Sequence, residues 1–517
     1  MVRIRFFNKK KGIISRPAVH LPGGEYLTWA ELFHGVITLG NAGSGKTSGP
    51  GAHILNGILR DEARPGGIAL CIKQDERLRI ERAISAAGRE ADKIVINAEN
   101  IFKINALLYE LTRKGRGAFE FNSVVDLLME LSQAANNYQA GGGSGGENER
   151  FWDNEVRVAY IRALMLLTLA GMTISIMNMR NIMMDNFGEA EFERYSSLWA
   201  RIEASDEDAM MEYEAWCESN FFLHCFDKAN SRDDLNTTEL EIMKLVGDYY
   251  LKTFAKISEK TKAIVIASAT GLFEPFLTGI LHTHFDAELS DEVRPEKCFE
   301  EGRLIILDIP LKEYGISAIY AATIFKKLFQ LCVERRVIEL EENPRPVFLW
   351  CDEAHLFLNP QSDERFQSSC RSTMTAVVYL TQSINSIKSA MGKSSPEIKT
   401  KALLTNLGTQ IFCGNMCTDT NKYASELIGK RFRRTEGNSI SSDDRASHST
   451  SEQLHFIVPP EHFTTLKSGG PENDFQVETI IVIRSKRWAT GEPFGEVAFD
   501  QRGRGRTIFQ KLKSFFS

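Results

Sequence analysis

Short apolar runs, each closed by a glycine, a charge or a turn, recur along this chain and alternate with stretches whose apolar positions repeat every three or four residues. Residues 36–39, 67–72, 94–97, 304–309, 347–351, 376–380, 410–413 and 479–483 read as strands buried on both faces, with helical periodicity at 53–59, 77–87 and between most later runs. From 109 to 258 the pattern is helical almost throughout. Ser123, with Asp126 three residues on, reads as a helix start that sets Val124, Leu127, Leu128 and Leu131 on one face, and 154–169 reads as another helix. The predicted architecture is therefore α/β, a mostly parallel sheet interrupted by an all-α domain. The expected divisions are an N-terminal segment at 1–35, a nucleotide-binding domain at 36–108 and 259–500, the inserted helices at 109–258, and a basic tail at 501–517.

The strand at 36–39 runs into Gly40-Asn41-Ala42-Gly43-Ser44-Gly45-Lys46-Thr47-Ser48, and a helix follows. Strand, G-x-x-x-x-G-K-T loop and helix, in that order, form a phosphate cradle. Its glycines let backbone N–H groups crowd an anion, Lys46 reaches the terminal phosphates, and the Thr47 hydroxyl suits Mg²⁺. The expected ligands are ATP and Mg²⁺. Gly40, Ala42, Gly43, Ser44, Gly45, Lys46, Thr47 and Ser48 are the expected binding residues. By contrast, the glycine-rich 141–146 has no following Lys-Thr pair and reads as a linker.

A second signal lies far downstream, where the apolar run 347–351 ends in Asp352-Glu353. Carboxylates at the end of a parallel strand stand where ligands bind in such sheets, so Asp352 is the expected partner of the metal and Glu353 the expected base for an attacking water. The letters Asp352-Glu353-Ala354-His355 and Ser268-Ala269-Thr270 also occur in superfamily 2 helicases, but in the reverse order, so His355 and the triplet read as incidental. Gln382 closes the next strand with a neutral amide that could sense the γ-phosphate. Arg371, just before that strand, is a candidate for a neighbouring subunit's site, because a guanidinium presents a rigid fork to phosphate oxygens.

Composition changes this picture little: 517 residues, 43% hydrophobic, make an ordinary globular chain. Nine cysteines without a paired C-x-x-C argue against zinc and disulfide frameworks. The uncharged run between Arg162 and Arg180 approaches membrane-spanning length, but Gly171 followed by Thr173 and Ser175 divides it into two helices. Charge is more informative locally than in its net value of −6. Residues 185–244 hold sixteen acids against five bases, a surface suited to a basic protein and repellent to nucleic acid. Both termini are basic, and Lys430-Arg431-Phe432-Arg433-Arg434 sets four cations round an aromatic ahead of a polar loop or hairpin tip at 439–451, a candidate DNA contact.

Taken in order, these motifs resemble the coupling ATPases of type IV secretion and conjugation, the TraG/TraD family, relatives of the FtsK and HerA motors. Asn105-Ala106-Leu107, Phe151-Trp152-Asp153-Asn154, the GRLIILDIP segment at 302–310, Asp352-Glu353, Arg371, Gln382-Ser383, Thr405-Asn406-Leu407 and the helix from Tyr423 to Gly429 carry the resemblance. It implies a RecA-like P-loop core in a homo-hexameric ring, Arg371 acting in trans, DNA or DNA–protein cargo, and partners among relaxase or effector proteins and channel components. Two departures stand out. The family's two N-terminal membrane helices have no counterpart here, which points to the bacterial cytoplasm or a peripheral place at the inner membrane. Its Asp-Pro-Lys-Gly-Glu turn survives only as Lys73 and a nearby acid within Cys71-Ile72-Lys73-Gln74-Asp75. The competing expectations are a substrate receptor that uses ATP as an assembly switch and a HerA-like DNA pump.

Overall fold

The computed structural model describes residues 12–113, 120–140, 147–185, 188–285, 288–359, 362–392, 395–440 and 446–502. Its strands are β1 Pro17–His20, β2 Tyr26–Thr28, β3 Val36–Leu39, β4 Gly66–Cys71, β5 Lys93–Ile96, β6 Leu304–Asp308, β7 Val347–Cys351, β8 Thr375–Thr381, β9 Thr409–Phe412, β10 Lys430–Ile440, β11 Ala446–Phe456, β12 Gln476–Ile483 and β13 Phe494–Asp500. Nine of them form one sheet in the order β13-β12-β9-β3-β8-β7-β4-β6-β5. From β9 to β6 the pairings are parallel, and β12 and β13 add an antiparallel edge. Burial explains the uniformly apolar runs: every residue of β3, β4, β7, β8 and β9 is buried. The sequence pattern did not reveal β13, whose alternating burial leaves Glu496 and Ala498 exposed and breaks the apolar run.

Two compact units divide the chain. One comprises 1–95, 295–308 and 329–517 and contains the large sheet except for Ile96 at the end of β5; the other comprises 96–294 and 309–328 and is helical. The helical unit is wider than the expected 109–258. Tyr160 donates a hydrogen bond to the Ala269 carbonyl, Phe276 packs on Tyr320, and Lys327 pairs with Glu130, so segments beyond 258 complete the helical core. Periodicity identifies a helix but not the neighbours that cover it. Val124, Leu127, Leu128 and Leu131 are buried as expected, although the helix begins at Phe121, placing Ser123 in its first turn. Gly171 at φ 59° ends the helix Glu147–Leu169, and the Ser175 hydroxyl then caps Ile176–Met184, dividing the apolar run as read. Among the described residues one helix, Ile316–Glu334, is long and apolar enough to cross a membrane, and 78% of its apolar window is buried in the protein.

The basic quintet lies on β10, paired residue for residue with β11, so it is strand where the sequence suggested the approach to a loop. Phe432 is 69% exposed opposite Leu454, with Arg434 paired to Glu452 and Arg431 to Glu492. The glycine linker at 141–146, the central residues 441–445 of the expected loop, and the basic stretches 1–11 and 503–517 lie outside the described residues.

Candidate functional site

Four adjacent strands, β3, β8, β7 and β4, deliver the chemistry from their carboxyl ends. Neighbouring strands lie about 4.8 Å apart, so the segment after β3 and the acid pair after β7 stand roughly 10 Å apart, within reach of long side chains. After β3, Gly43 and Gly45 take φ of 78°, which a side chain would resist. A Cβ at Gly45 would also lie 2.4 Å from Val477 of β12 and 3.0 Å from the Ser468 carbonyl. The loop is anchored by the Gly40 N–H on the Thr381 carbonyl and the Asn41 N–H on the Gly414 carbonyl. It then enters a turn, Thr47–Gly51, that opens the helix Ala52–Arg60. A glycine loop followed by a helix start is the order of elements that suits an anion site.

Lys46 is only 4% exposed, and its ammonium stands 3.6 Å from Glu353 Oε1. The Thr47 hydroxyl donates to Asp352 Oδ2 at 3.1 Å, joining residues 305 positions apart in sequence. Glu353 follows its strand in the left-handed conformation, φ 49°, a geometry that costs a non-glycine residue roughly 1–2 kcal/mol and persists where surroundings impose it. Its N–H is held by Asp352 Oδ1 at 2.9 Å. After β8, the Gln382 amide donates to Glu353 Oε2 at 3.3 Å. Lys46, Thr47, Asp352, Glu353 and Gln382 are thus gathered at one sheet edge.

Three neighbours that the sequence left unassigned join them. Lys73, just after β4, reaches Asp352 Oδ2 at 2.9 Å and Glu353 Oε1 at 2.7 Å. His355, read as incidental, lies with Nδ1 3.0 Å from the Thr381 hydroxyl and 3.6 Å from Glu353 Oε2; the short helical turn after β7 folds it back over the acid pair. Gln501, assigned to the tail, stands just beyond β13. It donates to the Ser48 hydroxyl at 2.7 Å and accepts from the Gly470 N–H at 2.8 Å. No sequence signal marks Gln501, because the exposed positions of β13 break the apolar run that would announce the strand before it. The Ser268–Thr270 triplet lies in the helix Glu259–Gly271 of the other unit.

Burial would raise the Glu353 pKa, but Lys46 and Lys73 outweigh it and hold the carboxyl below its ordinary range. Burial also works against the Lys73 ammonium, and the two carboxylates prevail there too, lifting its pKa. In His355, burial dominates and favours the neutral ring. Beneath the site, Glu76 is 2% exposed and accepts from the Trp350 indole at 3.2 Å; burial, then repulsion from Asp352, pushes its pKa well up.

Arg371 lies elsewhere. It is exposed in the turn before β8, at the opposite end of that seven-residue strand from Gln382. At about 3.3 Å per residue the separation is roughly 20 Å, too far to serve its own chain's site.

Residues 346–468 match a family model described as the TraM recognition site of TraD and TraG, a stretch containing Asp352, Glu353, Arg371 and Gln382. No curated protein matches the chain in sequence. Among solved structures, an unbound form of the bacterial conjugative coupling protein TrwB is similar with a TM-score of 0.57 at 12% identity, over 96% of this chain and 92% of that one. TrwB with the non-hydrolysable ATP analogue ADPNP is similar at 0.57 and 12% identity, over 95% and 91%. TrwB with ADP and Mg²⁺ gives 0.56 and 12%, over 95% and 92%. The RecA-like α/β fold expected from the motif resemblance is the fold observed, and the resemblance to the TraG/TraD coupling ATPases stands in both the matched segment and the architecture.

Proposed function

We propose that this chain is an ATP-hydrolysing, Mg²⁺-dependent motor of the coupling-protein kind, working as a homo-hexamer to move DNA or a DNA–protein complex toward a type IV secretion channel. One observation carries the reading: Thr47 of the phosphate loop is hydrogen-bonded to Asp352, and Lys46 faces Glu353, across more than three hundred residues of intervening chain. The residues suit the nucleotide and metal. Gly45 has no room for a side chain, the buried Ser44 hydroxyl has no hydrogen-bond partner among the described residues, and Thr47 and Asp352 make a hard oxygen donor pair. When bound, Mg²⁺ would supply charge neutralisation across the phosphates.

The chain's own groups supply the rest. Lys46 binds terminal phosphate oxygens, and Glu353, ionised at neutral pH, takes the proton of the attacking water. Gln382, already hydrogen-bonded to Glu353, orients that water and registers whether the γ-phosphate is present. Arg371 serves the next subunit. The acidic surface at 185–244 is the docking face for basic relaxase or effector proteins.

ATPase assays with and without DNA, run beside a sizing measurement, test the proposal. Hydrolysis is expected to rise with DNA in a hexameric species. Glu353→Gln is expected to lower turnover about 10² to 10⁴-fold, the usual contribution of a general base, while nucleotide still binds. Lys46→Ala is expected to lose nucleotide binding. Turnover indifferent to DNA, with tight capture of a basic protein by the 185–244 surface, would replace the motor with an ATP-switched receptor.

A further inference from the structure

The carboxylates assigned to metal and water already share a cation, the ammonium of Lys73. It sits between Asp352 Oδ2 and Glu353 Oε1, and the oxygen it takes from Asp352 is the one that also accepts from Thr47. Lys46 stands against the same Glu353 oxygen. Two lysines therefore balance two acids within one hydrogen-bonded cluster. Unlike Lys46, Lys73 is not locked in: its side chain is 38% exposed, on the bend between β4 and the helix Glu76–Ala86.

We propose that Lys73 is a positioning residue that acts as an exchangeable counter-ion, holding Asp352 and Glu353 in register and yielding Asp352 when the metal–nucleotide binds. This rests on the nucleotide reading above. An ammonium and a divalent cation compete for one carboxylate oxygen, so the cost of displacing Lys73 sets how much Mg²⁺ the site requires. Released from Asp352, Lys73 keeps its Glu353 contact and steadies the base. It also brings a second positive charge beside Lys46 to a polyanion.

The test measures Mg²⁺ dependence without turnover, by titrating Mg²⁺ into protein and a fluorescent non-hydrolysable ATP analogue. With Lys73→Met the Mg²⁺ midpoint is expected to fall about tenfold, because uncompensated carboxylates attract the metal more strongly. Turnover falls at the same time, since Glu353 loses its tether. Lys73→Arg, which retains the charge, is expected to return the midpoint toward the unmodified value. A midpoint that is unchanged or raised in Lys73→Met would overturn the proposal. A measurement without any substitution guards against misfolding: mass spectrometry of lysine amidination in the unmodified protein. Mg²⁺ with ADP, which has no γ-phosphate to engage Lys73, is expected to speed modification at Lys73 relative to Lys93. An unchanged rate while ADP is bound would sink the idea, whereas failure of the protein to bind ADP at all would instead remove the nucleotide reading.

Discussion

The two edges of the large sheet use charge in opposite ways. At the carboxyl edge Lys46, Asp352 and Glu353 are 4%, 0% and 7% exposed, and each is paired. At the amino edge Arg371 is exposed beside the half-buried His34, whose pKa is lowered by burial, then by Arg484 and Arg371. Buried charges persist only with partners, because an isolated one would cost several kcal/mol or neutralise. Exposed cations face no such penalty and remain available to something outside the chain. On the function proposed above, reaction chemistry belongs to the carboxyl edge, and the exposed Arg371 at the amino edge is the group offered to a neighbouring copy.

The strongest way to break that assignment is Arg371→Ala. If the amino edge serves the next subunit's carboxyl edge, turnover should fall about 10³-fold, at the lower end for arginine fingers, with nucleotide affinity nearly unchanged. Mixing inactive Lys46→Ala subunits with Arg371→Ala subunits should then restore part of the activity, as steady-state assays of mixed rings would reveal; no restoration at any ratio would place Arg371 outside the reaction.

A subtler contrast lies in pH. Glu353 has a folded pKa below its ordinary value of 4.5, so its stabilisation is complete above that pH and is lost as acid carries the protein through the lower folded value. Glu76 has the opposite sign. Its folded pKa is raised, so stability falls as pH climbs from about 4.5 toward the folded value, where the unfolded chain releases a proton that the folded chain retains. Glu76→Gln should therefore raise thermal stability at neutral pH and have a diminishing effect toward pH 4, as melting curves across that range would show. A pH-independent difference would mean that Glu76 is ionised in the fold.

The smallest effect is expected from Arg64→Ala, before β4 at the amino edge. The Arg64–Asp92 pair is 2.7 Å long, but the arginine side chain is 57% exposed. Its loss should change unfolding free energy by less than about 1 kcal/mol in chemical denaturation. A larger loss would show that pairs on this edge bear structural weight.

Much of the sheet was legible because β3, β4, β7, β8 and β9 are buried on both faces, and complete burial leaves an unbroken apolar run with a sharp end. Those ends are also where the site lies, which is why Lys46, Thr47, Asp352, Glu353 and Gln382 could be named from sequence. His355 and Gln501 could not, since one folds back through a local turn and the other arrives on a strand with an exposed face. Lys73 was visible only as a motif remnant, because its contacts with Asp352 and Glu353 are made across neighbouring strands.

What the sequence determined by itself was local: the conformation of the phosphate loop, the strand ends, and the helical character of the long excursion, all written in spacing over a few residues. Tertiary structure alone decided which strand lies beside which, where the helical unit closes, and that Arg371 cannot reach its own chain's site. Those facts depend on contacts between residues hundreds of positions apart, and neither period nor propensity encodes which buried faces will meet.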